Sequence, residues 1–212
     1  MPNQKERILK GEIARTMALL YQKGLVTTTG GNASARISGS NHFLITPSGL
    51  FKGNLRVEEI LKVPLEGKVR SGKLKPSVET PLHSKIYRSR SDVLAVIHAH
   101  SPVTLGVTFA GIEIKPITPE SLLFVGSVPV VQFEAPGTED LADKVVEALK
   151  SHSVAVMQNH GVVAVGKNLL EALNRIEVVE LTARIMTITH IWGGTATLTD
   201  SQLAQLKRLV AE

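Results

Sequence analysis

The segment Val93-Leu94-Ala95-Val96-Ile97-His98-Ala99-His100 limits the chain's folding options more than any other. Its strand part, residues 93–99, falls far short of the roughly 20 apolar residues of a membrane span. Rich in aliphatic and β-branched side chains, it reads as a buried strand. A buried strand needs hydrogen-bonding neighbours and cover from other elements. The rest of the chain has the length to supply them, since 212 residues with 43% hydrophobic content can build a well-buried core in one domain.

Periodicity divides that remainder. Residues 5–24 have the spacing of an amphipathic helix, with Ile8, Ile13, Met17 and Leu20 near one face and Gly24 as a stop. Residues 27–31 form a small polar loop. Residues 32–38 alternate as a strand with a hairpin partner at 42–46, and Pro47-Ser48-Gly49 is a turn. A short helix is predicted over 55–62 and two short strands within 63–72. A helix over 79–89 tolerates Pro81 in its first turn, and 102–110 suit another. Residues 128–133 form a strand, and Thr138 N-caps a helix over 139–150. Strands at 154–157 and 162–165 flank Gln158-Asn159-His160-Gly161. Asn168 caps a long helix to His190, and Thr199 or Asp200 opens the last one. Strands and helices alternate, but hairpin-like pairs occur early and late. The predicted fold class is therefore α/β, with layers around a mixed, mostly antiparallel sheet.

The chemistry gathers at strand ends. Residues i and i+2 of a strand face the same side, so His98 and His100 can chelate one cation. Two histidines at a strand edge can equally be satisfied by hydrogen bonds alone. His160 follows an apolar strand and precedes a glycine, where a tight turn projects it. Three neutral imidazoles leave an open coordination position, the pattern of catalytic rather than structural sites. The chain has no cysteine, so disulfides are excluded and a metal must be held by His, Asp, Glu or water. Glu79 opens a predicted helix. It is either a first-turn glutamate favoured by the helix dipole or a carboxylate that ligates the resting metal or acts as a base. His42, His83, His152 and His190 lack such partners. His83 reads as a helix-face residue or as one that stands behind the ligands, and His152 and His190 as surface positions.

Thr28-Thr29-Gly30-Gly31-Asn32 can present backbone N–H groups beside hydroxyl and amide side chains, as a phosphate cradle does. Ser48-Gly49 and Ser77 add hydroxyl donors in loops, though such turns are often only turns. Neither a Walker-type nor a Rossmann fingerprint is present. The formal net charge of +5 favours anionic partners. Scattered Lys and Arg with only 4% aromatic residues give no nucleic-acid signature, so the expected partner is a phosphorylated small molecule. The N-terminus, Met1-Pro2-Asn3-Gln4-Lys5-Glu6, lacks a signal-type apolar stretch, and no apolar run has membrane length. The expectation is a soluble cytoplasmic protein with neither nucleic-acid nor membrane partners.

Five motifs, in order, resemble the class II aldolase/adducin head family. They are Thr29-Gly30-Gly31-Asn32-Ala33-Ser34, Thr46-Pro47-Ser48-Gly49, Lys75-Pro76-Ser77-Val78-Glu79, Val96-Ile97-His98-Ala99-His100-Ser101 and Gln158-Asn159-His160-Gly161. The resemblance spans nearly the whole chain. It implies one domain over 1–212 with a three-layer α/β/α fold, assembled as a homo-oligomer, a tetramer being common. It implies Zn2+, or another divalent transition metal such as Mn2+ or Co2+, held by His98, His100 and His160 with Glu79 as mobile ligand and acid/base. Phosphate would be held by Thr29, Gly31, Asn32, Ser48, Gly49 and Ser77. The implied reaction is aldol cleavage of a ketose 1-phosphate, of the L-fuculose 1-phosphate kind, to dihydroxyacetone phosphate and an aldehyde through a metal-stabilised enediolate. The alternatives are a sugar-phosphate dehydratase (of the methylthioribulose-1-phosphate kind) or a 4-epimerase on the same metal; the family also holds decarboxylases and non-catalytic adducin heads. The chain departs from the family pattern in three places. Val78 stands where a phosphate-binding Ser-Ser pair has its second serine. Ile117-Thr118-Pro119-Glu120 stands where aldolases supply a tyrosine to a neighbouring subunit, and the tail from Leu206 to Glu212 lacks the C-terminal tyrosine. Glu120 matches the position of the acid/base glutamate of the dehydratase branch and is the candidate second catalytic group.

Overall fold

The computed structural model describes residues 4–67, 72–194 and 198–211. The strand predicted late in 63–72 falls largely outside them. Among the described residues a seven-stranded sheet has the order β3-β2-β1-β4-β7-β6-β5. Its strands are β1 (Asn32–Arg36), β2 (His42–Ile45), β3 (Leu61–Pro64), β4 (Ala95–Ala99), β5 (Val130–Val131), β6 (Val154–Met157) and β7 (Gly161–Gly166). Every neighbouring pair is antiparallel except β5 with β6. The sheet is thus mixed and mostly antiparallel, as predicted. The apolar run before His98 forms β4, at the centre, bonded to β1 and β7.

Alternation along the strands sends side chains to two separate cores. Ala95, Ile97 and Ala99 of β4 join Ala33 and Ala35 of β1 and Val162 and Ala164 of β7 on one face. That face is covered by α1 (Gln4–Gln22), α3 (Pro102–Phe109) and α6 (Leu169–Ile191), through Ile13, Met17, Val107, Ile176 and Val179. Val96, Val163, Val165, Phe43 and Met157 lie on the other face. There Leu82, Ile86 and Tyr87 of α2 (Thr80–Ser89) and Leu141 and Val145 of α5 (Glu139–Ala148) cover them. The layers are α/β/α.

The predicted caps hold. Thr138 Oγ1 accepts from Leu141 N at 3.2 Å, and Asn168 Oδ1 accepts from Glu171 N at 2.8 Å. α7 spans Asp200–Ala211. Other expectations need correction. Ile8 points to solvent, because the buried stripe of α1 begins at Ile13. The helix predicted over 55–62 is a 3-10 turn, Val57–Glu59, followed by β3. Val63 pairs across to Phe43, and that cross-strand bonding overrides the local preference. Residues 128–133 yield only a two-residue strand, and a six-residue helix α4 (Pro119–Phe124) lies where the sequence predicts no element.

Candidate metal centre

The site lies at the end of β4. His98 sits opposite Asn32 of β1 and Val163 of β7, on the face that carries α2. Its Nδ1 donates to the Val162 carbonyl at 3.2 Å, which fixes the ring and turns the Nε2 lone pair into the site. His100 stands just beyond the strand, anchored by its backbone N–H to Leu25 O at 2.7 Å. The two Nε2 atoms are 3.0 Å apart.

His160 arrives from the β6–β7 turn. Asn159 takes the left-handed conformation there (φ 56°), which asparagine tolerates better than most residues. Gly161 follows because a Cβ at that position would strike the His98 ring and Ala99 O. Gly30 is required for a similar reason: a Cβ there would lie 2.7 Å from the His100 ring. Glu79 enters from the N-cap of α2. Its Oε1 lies 2.9 Å from His160 Nε2, and its Oε2 lies 3.5 Å from His98 Nε2 and 3.0 Å from the Asn32 amide nitrogen.

These groups suit a divalent cation. One ligand atom from each of His98, His100 and His160 lies within 4.8 Å of the other two. Nitrogens around one tetrahedral zinc are separated by about 3.3 Å, so small side-chain movements suffice. Glu79 Oε1 and His160 Nδ1 are buried without a hydrogen-bond partner: the close approach of Oε1 to His160 lies off the N–H direction. A buried carboxylate oxygen left unbonded is costly, and a cation would relieve it. The imidazoles are also poised as ligands. Burial pushes His98 down to about 4, against the pull of Glu79, and lowers His100 too, so both are neutral at pH 7. Burial works to raise Glu79, but His98, then His160 and Asn32, outweigh it and hold the carboxyl below the ordinary range.

A cavity of about 160 Å³ opens beside these residues. Thr29, Gly31, Asn32, Ser48 and Ser77, all expected to hold phosphate, line it together with Gly30, Lys52, Val78 and Pro136. Two backbone bonds, Ser48 N to Lys75 O (2.9 Å) and Ser77 N to Thr46 O (3.1 Å), bring the two serine loops side by side. Gly49 forms the turn behind Ser48 (φ +73°) and does not line the cavity. Glu120 stands exposed on α4 and does not line it either. Asn32 has a further task, for its amide oxygen and one N–H are bonded to His83 and Glu79.

One residue, Lys52, escaped the sequence reading, and a second, His83, was read only in part. Lys52 is buried, donates to Pro47 O at 2.5 Å, and its backbone N–H holds Thr28 O at 2.8 Å, so it ties the two anion-type loops together. Burial lowers it to about 8. A lone lysine in Phe51-Lys52-Gly53 carries no signal that separates it from a surface residue. His83, read as a helix-face residue, is fully buried beneath the site. Its signal was the four-residue spacing from Glu79.

Residues 11–187 match the family described as Class II Aldolase and Adducin N-terminal domain. The chain is 33% identical over 176 residues to an L-fuculose phosphate aldolase of Methanocaldococcus jannaschii, covering 83% of this chain and 94% of that one. It is also 33% identical over 188 residues to a 3-oxo-tetronate 4-phosphate decarboxylase of Escherichia coli K12, covering 86% and 88%. Among solved structures, an L-fuculose 1-phosphate aldolase superposes with a TM-score of 0.88 at 26% identity, covering 100% of this chain and 99% of that one.

Proposed function

The chain belongs to the class II aldolase and adducin N-terminal domain family, and on that premise we propose that it is a metal-dependent lyase that splits a carbon–carbon bond of a phosphorylated keto substrate. The first reading is an aldolase that cleaves a ketose 1-phosphate to dihydroxyacetone phosphate and an aldehyde. The observation that carries it is the convergence of His98, His100, His160 and Glu79 on one end of a hydroxyl-lined cavity.

His98, His100 and His160 would hold the ion, zinc being our choice because the donor set is three neutral imidazoles. A divalent ion there would supply Lewis-acid stabilisation of the charge that develops on the substrate's carbonyl oxygen. Thr29, Ser48 and Ser77 would hydrogen-bond the phosphate, with the Lys52 ammonium behind them adding positive charge. In the cleavage, the bonding pair of the broken C–C bond stays with the carbonyl fragment, and the departing fragment's hydroxyl loses its proton to become an aldehyde. Glu79, ionised at rest and within reach of the histidines, would move the proton at the carbon that gains the pair. The hydroxyl proton needs a second acceptor. Glu120 is the candidate; being exposed and outside its own cavity, it would act in the cavity of a neighbouring copy.

One observation favours a second reading. Among the described residues that line the cavity, Glu79 is the only carboxylic acid and no tyrosine is present. A 3-oxo acid decarboxylase breaks its C–C bond with loss of CO2, so no hydroxyl proton has to be removed and one proton donor suffices. The relative named as a decarboxylase makes this concrete. Incubation of the metal-loaded protein with ketose 1-phosphates and with a phosphorylated 3-oxo acid separates the readings. Release of an aldehyde from a ketose 1-phosphate supports the first and release of CO2 from the oxo acid the second; turnover of neither contradicts both.

A further inference from the structure

Beneath Glu79 lies a polar seam that the reaction above does not use. Glu79, His83 and Tyr87 recur every four residues along α2, and Asn32, Ser34 and Arg36 recur every second residue along β1. Four helical residues rise about 6 Å and two strand residues about 6.6 Å, so the two stripes stay in register where helix lies on strand. The bonds follow that register. Asn32 Nδ2 donates to Glu79 Oε2 at 3.0 Å, and Asn32 Oδ1 meets His83 Nε2 at 2.5 Å. His83 Nδ1 meets Ser34 Oγ at 2.6 Å, and Ser34 Oγ meets the Tyr87 hydroxyl at 2.7 Å. The Tyr87 backbone oxygen accepts from Arg36. Glu79, Asn32, Ser34, His83 and Tyr87 are all buried.

Donor counting gives the chain a direction. A carboxylate only accepts, so the end of Asn32 that faces Glu79 is its NH2 and the end that faces His83 is its oxygen. That oxygen cannot donate, so His83 Nε2 carries the proton. Burial lowers His83 to about 3, so at neutral pH the ring has one proton and Nδ1 accepts. Ser34 therefore donates to Nδ1 and takes its own bond from the Tyr87 hydroxyl, which burial keeps protonated by raising it above the ordinary value. The opposite orientation would set the Asn32 oxygen against the Glu79 carboxylate, two acceptors face to face.

From this geometry we propose that His83 is a positioning residue for Glu79, acting through Asn32. By donating from Nε2 it locks the amide so that Oε2 of Glu79 is held and Oε1 alone is left to face His160 and the reacting atoms. The inference rests on the proton-transfer role proposed for Glu79. It makes the two carboxylate oxygens unequal, and it explains why two polar stripes are buried at a helix–sheet interface that apolar residues would fill at no desolvation cost.

The test has two arms. Long-range 15N–1H correlation spectra of the chelated wild-type protein read the tautomer directly: we expect His83 protonated on Nε2, and an Nδ1-protonated ring overturns the inference whatever the enzyme does. Kinetics of the metal-loaded protein form the second arm, on whichever carbon–carbon cleavage substrate the wild type turns over. His83→Leu should lower kcat about 10- to 100-fold with KM and bound metal unchanged within about threefold. His83→Gln, whose amide N–H can replace the Nε2 donor, should recover kcat to within about fivefold of wild type. Equal loss in both variants, or no loss in the folded leucine variant, overturns the inference. If the leucine variant does not fold, Ser34→Ala, which frees the tautomer, should lower kcat at unchanged KM, and an unchanged kcat counts against it. A wild type that cleaves no substrate contradicts the proposed function instead, and the tautomer measurement still stands on its own.

Discussion

At the scale of single residues, the account rests on imidazoles kept neutral by burial and a carboxylate kept ionised beside them. His98→Ala should remove both bound metal and activity, since the two remaining histidines leave an incomplete set; elemental analysis and an activity assay check it, and an active variant without metal would contradict the site. Glu79→Gln should keep the fold, the amide replacing the carboxylate at Asn32, and lose about 10²- to 10⁴-fold in kcat by steady-state assay. The metal-free chain should also respond to pH. His83 and His98, pushed to about 3 and about 4, lie below the ordinary 6.5, so the unfolded chain binds protons that the folded chain refuses. Stability is therefore fully present above about pH 6.5 and is lost as pH falls toward 4, by roughly 1 kcal/mol per pH unit for each group. Scanning calorimetry of the chelated protein between pH 7.5 and 5 should show a falling Tm, with a shallower slope in His83→Gln.

At the scale of elements, the site is held by strand ends and helix starts. α3 begins two residues after His100, and its first N–H groups are capped from another helix. Glu180 of α6, itself buried, accepts from Val103 N (3.1 Å), Thr104 N (2.9 Å) and Thr104 Oγ1 (2.8 Å). Glu180→Ala leaves those buried donors unpaired and should cost about 1–3 kcal/mol in chemical denaturation. Gly161→Ala should cost about 1–3 kcal/mol as well, because the new methyl group meets the His98 ring and a backbone oxygen. These elements also mark what the sequence could tell. The His-x-His pair on an apolar run, the turn histidine before Gly161, and the caps Thr138 and Asn168 were legible because each is a local pattern with a fixed geometric consequence. The 3-10 turn before β3, the brief β5, the buried Lys52 and the seam through His83 were not, because each depends on a partner distant in sequence. Ile8 misled because it lies five residues before Ile13, off the stripe of Leu9, Ile13, Met17 and Leu20 that packs on the core.

At the scale of the whole molecule, a central sheet with a separate core on each face puts His98 on its middle strand, with His100, His160 and Glu79 at the adjoining strand ends and helix start and the anion-type loops beside them. No helix among the described residues is long and apolar enough to cross a membrane. Apolar side chains nevertheless reach the surface along neighbouring helices: Leu123 and Phe124 of α4, Leu181, Ile188 and Ile191 of α6, and Trp192, which is 86% exposed. Exposed apolar groups on that scale suit an interface. We expect a homo-oligomer, a tetramer being the expectation carried by the family resemblance, and light scattering of the purified protein should give a mass near four chains; a monomer at micromolar concentration would remove the route by which Glu120 reaches a second cavity. The central claim is that His98, His100 and His160 hold one catalytic divalent ion per chain. Calorimetric titration of the chelated protein with Zn2+ tests it most directly: the account predicts one tight site per chain that is absent from His160→Ala, and tight binding retained in that variant, or no saturable site in the wild type, would contradict it.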